Sequence, residues 1–192
     1  ALGLIPDTLD LRALLLDLYS EQVVGYYDPR NDTFYLVEGR TVAEMGPVLA
    51  HELVHALQDQ HADLEALISR EQGNDRQTAA QSAIEGHATL VMFALPLEAE
   101  SGGELDLSRL PDMSAQLRPL LEAQNEAFPV FRSAPRVIRQ TLIFPYIGGA
   151  SFVQALWREK GRGADGRWPA PLDSLLPVST EQVLHPADRF FG

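Results

Sequence analysis

From Val48 to Gln72 the chain contains neither glycine nor proline, and inside this run stands His51-Glu52-Leu53-Val54-His55. A stretch of that length without a breaker predicts one long helix. It opens at about Glu44 or Pro47, with Thr41-x-x-Glu44 readable as a capping box and Pro47 favouring the later start, and it closes at Gly73. Leu49, Leu53, Leu57, Leu64, Leu67 and Ile68 are expected to form its buried stripe. Residues four apart on a helix differ by only about 40° around the axis, so the two imidazoles leave one face, one turn apart, and can meet a single ion. Glu52 stands about 100° from His51 and borders that ion without binding it. That is the place for a carboxylate base acting on a metal-bound water.

Two histidines leave a catalytic zinc one protein ligand short. His61 would complete His51-Glu52-x-x-His55-x-x-Gln58-x-x-His61, but Gln58 stands where a chain reversal needs glycine. On an unbroken helix His61 lies about 9 Å along the axis and about 240° around from His55. The other candidate is Glu85, in Ala83-Ile84-Glu85-Gly86-His87-Ala88, on a second helix expected from about Arg76 to Leu95 and closed by Pro96. The break at Gly73-Asn74-Asp75 lets this helix return beside the first, and Gly86 would let the two approach closely. Glu85 is therefore favoured as the third ligand. His87, about 200° round from Glu85, reads as a surface or packing histidine. Asp59, one turn after His55, reads equally as a partner for an imidazole and as a solvated acid.

Elsewhere, Pro6-Asp7-Thr8 ahead of Leu9, Leu11, Leu14, Leu15 and Leu18 predicts a first helix reaching about Ser20. Val23 to Tyr27 and Thr33 to Val37 flank the turn cluster Asp28-Pro29-Arg30-Asn31-Asp32 and predict a β-hairpin. Tyr26 and Tyr27 would point to opposite faces, so at most one can border a cleft. Glu98 to Asp112 reads as an acidic, mobile loop, placed where a flap would be, and it divides the chain into residues 1–97 and 98–192. Further helices are expected over Ser114 to Ala127, Arg136 to Phe144 and Ala150 to Lys160, with Pro145 to Gly149 as a turn and Gly161 to Pro171 as a loop. Ser179-x-x-Gln182 can cap a last short helix. The fold class expected is α+β, mostly helical, with two subdomains forming one catalytic domain.

An HExxH motif followed by a glutamate on the next helix resembles the gluzincin arrangement of zinc metallopeptidases, and Glu85-Gly86-His87-Ala88 is similar to the compact minigluzincins. The blocks Gln22 to Pro29, His51 to Gln60, Phe144-Pro145-Tyr146-x-x-Gly149 and Ser179 to Pro186 also resemble uncharacterised bacterial metallopeptidase-like proteins. The resemblance implies a zincin-like fold, one zinc on His51, His55 and Glu85, and Glu52 as base. It further implies a peptide or protein substrate in a cleft, extended along an edge strand such as Val23 to Tyr27 or Thr33 to Val37. Peptide hydrolysis also asks for an oxyanion donor, for which His185 and Tyr146 are the candidates, each near a turn in the C-terminal half. The plainer readings are a helix-end histidine before Pro186 and a packed aromatic.

Composition narrows the partners. The net charge is -12, with 7 basic and 22 acidic residues over 1–126 against 8 and 5 over 127–192. An acidic body repels phosphate, so nucleic acid and anionic membrane surfaces are not expected partners. The longest uncharged apolar stretch, Ala88 to Leu97, is about half of a membrane span, which reads as a soluble chain. Ala1 to Leu16 carries Asp7, Asp10 and Arg12 and does not read as a signal peptide, while the absence of cysteine fits cytoplasm and a processed secreted form alike. The residues also fit a zinc-binding module that is latent or does not turn over, and a helix bearing two histidines by accident. Oligomeric state and cleavage preference stay open.

Overall fold

The computed structural model describes residues 3–39, 41–69, 71, 73–103 and 105–192, with the backbone alone at 42–44. Its sole sheet among these residues is a two-stranded antiparallel hairpin, β1 (Gly25–Asp28) with β2 (Thr33–Leu36), in which Tyr27 pairs with Phe34. The rest is mainly helical, the α+β class expected. Helix α1 (Leu11–Gln22) starts at Asp10, whose carboxylate accepts the Ala13 N–H at 2.9 Å, and so begins later than Pro6-Asp7-Thr8 suggests.

Helix α2 (Val42–Asp59) starts earlier and ends earlier than its breaker-free run implies. The Thr41 carbonyl accepts from the Met45 N–H, and Pro47 is absorbed within the second turn. The side chain of Glu44, half of the expected capping box, lies outside the described residues. At the far end, aspartates offer the backbone other partners: Asp59 accepts the Leu64 N–H at 3.2 Å and Asp63 that of Ala66 at 2.9 Å. The chain turns there and restarts as α3 (Leu64–Leu67). The expected leucine stripe is also corrected, since Leu49, Leu53 and Leu57 are 37%, 46% and 57% exposed while Val54 and Gln58 are buried. The inward face of α2 is the one carrying His51 and Gln58.

Two prolines expected to stop helices do not. Helix α4 (Asn74–Ser101) contains Pro96 and ends at Gly102, in the left-handed conformation, whose N–H donates to the Glu98 carbonyl. Helix α7 (Arg136–Lys160) runs unbroken through Pro145 and the glycine pair expected to form a turn. Burial overrides propensity here: among the described residues α4 and α7 make the most extensive contact, across a core of Leu90, Ala94, Phe152, Val153 and Trp157. At the crossing, a Cβ on Gly149 would collide with the Ser82 carbonyl, and one on Gly86 with the Gly149 backbone. Gly86 therefore serves α4 against α7, not α4 against the histidine helix.

Helix α5 (Met113–Glu126) covers the core next to α7, and Leu117 joins it. The segment before α5 is pinned where mobility is expected. Gln154 of α7, fully buried, accepts the Met113 N–H and donates to the carbonyls of Leu107, Leu110 and Pro111. Helix α6 (Pro129–Ser133) is capped from a distance by Glu21 of α1, whose carboxylate accepts the N–H groups of Val130 and Phe131. Ser179 caps α8 (Thr180–Leu184) as expected, and α9 (Pro186–Arg189) follows. Among the described residues no helix is long and apolar enough to cross a membrane.

Gly149→Ala is expected to cost about 3 kcal/mol or more by overpacking the crossing, which lowers the melting temperature by about 6–12 °C. Gly46→Ala, on α2 with no heavy atom within 4 Å of its Cβ position, should instead gain about 0.5–1 kcal/mol. Thermal melts of the two variants check this.

Candidate metal centre

Helix α2 lies against α4, and the contact brings three side chains to one point. His51 Nε2 stands 3.1 Å from His55 Nε2 and 3.0 Å from Glu85 Oε2, and His55 Nε2 stands 3.4 Å from the same oxygen. Ligand atoms set tetrahedrally at 2.0–2.1 Å from one centre are about 3.3 Å apart. The donor set therefore fits three corners around a metal ion, and His51, His55 and Glu85 are close enough to hold one.

Electrostatics describe the same site without a cation. Burial alone would raise the Glu85 pKa, but hydrogen bonds from both histidines outweigh it and hold the carboxyl at about 2. Burial alone would lower the His55 pKa, but its bond to Glu85 and that carboxylate's charge raise it to about 9.

Gln58, where glycine is missing from the His61 pattern, organises the centre. Its Nε2 donates to the Ile84 carbonyl at 3.1 Å, an acceptor only, which fixes the orientation of the amide. Its Oε1 therefore accepts from His55 Nδ1–H at 2.9 Å, which leaves His55 Nε2 as the ligand atom. The same Nε2 reaches His87 Nδ1 at 3.1 Å. His87 packs edge-on to Trp157, and burial, followed by the His55 charge, pushes its pKa down to about 4. Thus His87 is a packing histidine joined to the site through Gln58. The available signal was position: Gln58 is seven residues after His51, on the same helical face, where an amide needs buried partners.

Glu52 is held from the hairpin. Its Oε2 accepts the Tyr27 backbone N–H at 2.8 Å, and the Tyr27 hydroxyl stands 3.0 Å from both Asp32 and Asp59. Asp59 thus serves the hairpin and α3, and neither of its expected roles fits. Tyr26 stacks on Tyr35 on an exposed face, and Val24 is the hairpin-side residue bordering the cleft.

His51 and Glu52 open on a cavity of about 620 Å³ walled by Val48, Met92, Phe93 and Phe128. Tyr146 lines it with its ring 6.1 Å from that of His51. The negative charge of Glu85, then burial and the charge of Glu52, raise the Tyr146 pKa well above the ordinary tyrosine value, so the phenol keeps its proton and can donate. Thr89, one turn beyond Glu85, lines the same cavity and has a buried hydroxyl with no hydrogen-bond partner among the described residues.

His185 and His61 are not brought to this point. His185 is exposed at the junction of α8 and α9 and does not line the cavity beside His51 and Glu52. His61 follows the end of α2, is exposed, and donates from Nδ1 to the Leu57 carbonyl at 2.8 Å. Comparison with protein families, with curated proteins and with solved structures finds no match.

Glu85→Ala should abolish stoichiometric metal uptake while His61→Ala retains it, measured by metal analysis after dialysis. The metal-free chain should also show a stability optimum near pH 6.5. The raised His55 pKa contributes fully below the ordinary 6.5 and is lost as pH rises through about 9. The depressed His87 pKa means stability falls as pH drops from 6.5 to about 4, and the contribution of Glu85, present above 4.5, is lost toward about 2. Denaturant midpoints against pH, with chelator present, read both limbs.

Proposed function

We propose that this chain is a zinc-dependent peptidase of gluzincin type, with zinc held by His51, His55 and Glu85. The observation that carries the reading is the convergence of two imidazole nitrogens and one carboxylate oxygen on a single point, with Glu52 beside it on the same cavity. Two nitrogens and one oxygen match the His₂Glu set of catalytic zinc sites, in which a fourth position is kept for water or substrate. Zinc, when bound, supplies a Lewis acid for water and peptide carbonyl alike.

The chain's own residues divide the remaining work. Glu52 takes a proton from the attacking water and passes it to the departing amine, one carboxylate used twice. Because the Tyr27 N–H holds Oε2, Oε1 is the oxygen left for that transfer. Gln58 keeps His55 in the tautomer that offers Nε2 to the metal. Tyr146, kept protonated beside two carboxylates, donates to the developing oxyanion, a role its position supports better than that of His185. The apolar walls exclude water and receive the peptide side chains beside the scissile bond.

Glu52→Gln tests this reading. Glutamine keeps the shape and can accept the Tyr27 N–H, but it cannot take a proton. The variant should keep its zinc and its melting temperature while hydrolysis of an unfolded-protein or peptide-library substrate falls about 100- to 10,000-fold. A chelator control excludes a contaminating protease. Fully zinc-loaded wild type with no more turnover than Glu52→Gln would identify a zinc-binding module without catalysis.

A further inference from the structure

The structure assigns a second ligand site to the flank of α2 opposite Glu52: a cavity for an uncharged aromatic molecule bearing a hydrogen-bond acceptor, coupled to the metal centre through His87 and Gln58. The cavity has a volume of about 630 Å³, within the range of small-molecule sites. Val54 and Leu57 of α2 and Val91 of α4 form one side, and the segment from Gly163 to Leu172 forms the other. Relative to His51, Glu52 is turned about 100° one way around α2, whereas Val54 and Leu57 are turned about 60° and 120° the other way. The two cavities are therefore separated by the pair of helices that carries the ligands.

The second wall is built, not loose. Trp168 stacks on Trp157 with ring centroids 5.4 Å apart, and the Arg162 guanidinium lies 4.4 Å from the Trp168 ring centre. The Trp157 indole N–H donates to the Pro169 carbonyl at 2.9 Å. Val54, Leu57, Val91, Pro169 and Leu172 give the cavity an apolar lining that suits a ring, with Trp168 beside them. One polar group is supplied from inside: His87 Nδ1 accepts from Gln58, so the proton of the neutral ring sits on Nε2, which has no hydrogen-bond partner among the described residues. That donor calls for an acceptor on the ligand. The rim bears both Asp165 and Arg167 and favours neither sign of charge.

An acceptor placed on His87 Nε2–H makes Nδ1 a better acceptor, polarises the Gln58 amide, and draws the His55 Nδ1 proton further toward Gln58. His55 Nε2 then becomes a stronger donor to a metal. Linkage makes the effect reciprocal, so metal also tightens the ligand. The coupling rests on the zinc reading above, whereas the site itself does not.

Benzamide is the probe, titrated into metal-free and zinc-loaded chain and followed by ligand-detected NMR and by the fluorescence of Trp157 and Trp168. Saturable one-to-one binding is expected in both forms. His87→Phe should weaken it about threefold or more by removing the donor. Ala170→Phe and Val91→Phe should block it by filling the cavity, and whichever of them keeps the wild-type melting temperature decides the question. Zinc release into a chelator should slow when benzamide is present. Absence of saturation in the metal-free chain, or wild-type affinity in a folded filling variant, overturns the site. Binding that leaves zinc release unchanged overturns the coupling. A chain that takes up no zinc fails the metal reading alone, because the metal-free titration still decides the site.

Discussion

The arrangement of this chain depends on a contact that contains no side chains. Where α4 crosses α7, Gly86 and Gly149 bring backbone against backbone, at a separation no other residue pair would permit. Glu85 is the neighbour of Gly86, and Tyr146 stands one turn before Gly149, so the crossing delivers a buried carboxylate and a phenol to the same region from two helices. The histidine helix is then registered against α4 by its own polar side chains, Gln58 among them. Gln58 reaches the carbonyl of Ile84, the residue before Glu85, while holding His55, so the spacing between imidazole and carboxylate is set by an amide two atoms wide.

What was legible in the sequence is what local geometry encodes. His51 and His55 had to share a helical face, Glu85 lay on a helix free to return, and the hairpin was marked by β-branched and aromatic residues around a turn cluster. Each misread element failed because a local signal was outweighed by something non-local, or the reverse. Pro96 and Pro145 read as stops, yet both lie in helices whose burial against each other exceeds the cost of a missing N–H. Asp59 and Asp63 lie inside the breaker-free run that predicts one long helix, yet their carboxylates end α2 by binding backbone amides that a longer helix would have used. Gly86 was read as the point where the Glu85 helix approaches the histidine helix, whereas its close approach is to α7.

The same logic explains Gln58 and the leucines of α2. With apolar residues on one flank and His51, His55 and Gln58 on another, hydrophobicity alone points the leucines inward. The imidazoles and the amide find partners in one another and in Glu85, Ile84 and His87 of α4, and a polar face satisfied in this way can be buried. Pattern reading has no term for that, because the partners lie on another helix. Tyr146 was legible as a donor candidate, but its place beside His51 rests on which way an unbroken α7 turns it.

The hold on Glu52 has a consequence of its own. The group that orients this carboxylate is a main-chain amide of β1, so no side-chain replacement at Tyr27 removes it, and a scan by alanine would pass over the position. Proline alone among the amino acids lacks that N–H. Successive amides along a strand point to opposite edges, so the amide facing α2 is chosen by the pairing of Tyr27 with Phe34. A slip of one residue would turn that amide into the sheet and leave the carboxylate without it. The strand register of a two-stranded hairpin thereby becomes a heritable determinant of the site, written in the turn from Asp28 to Thr33 and not in any residue that touches the cavity.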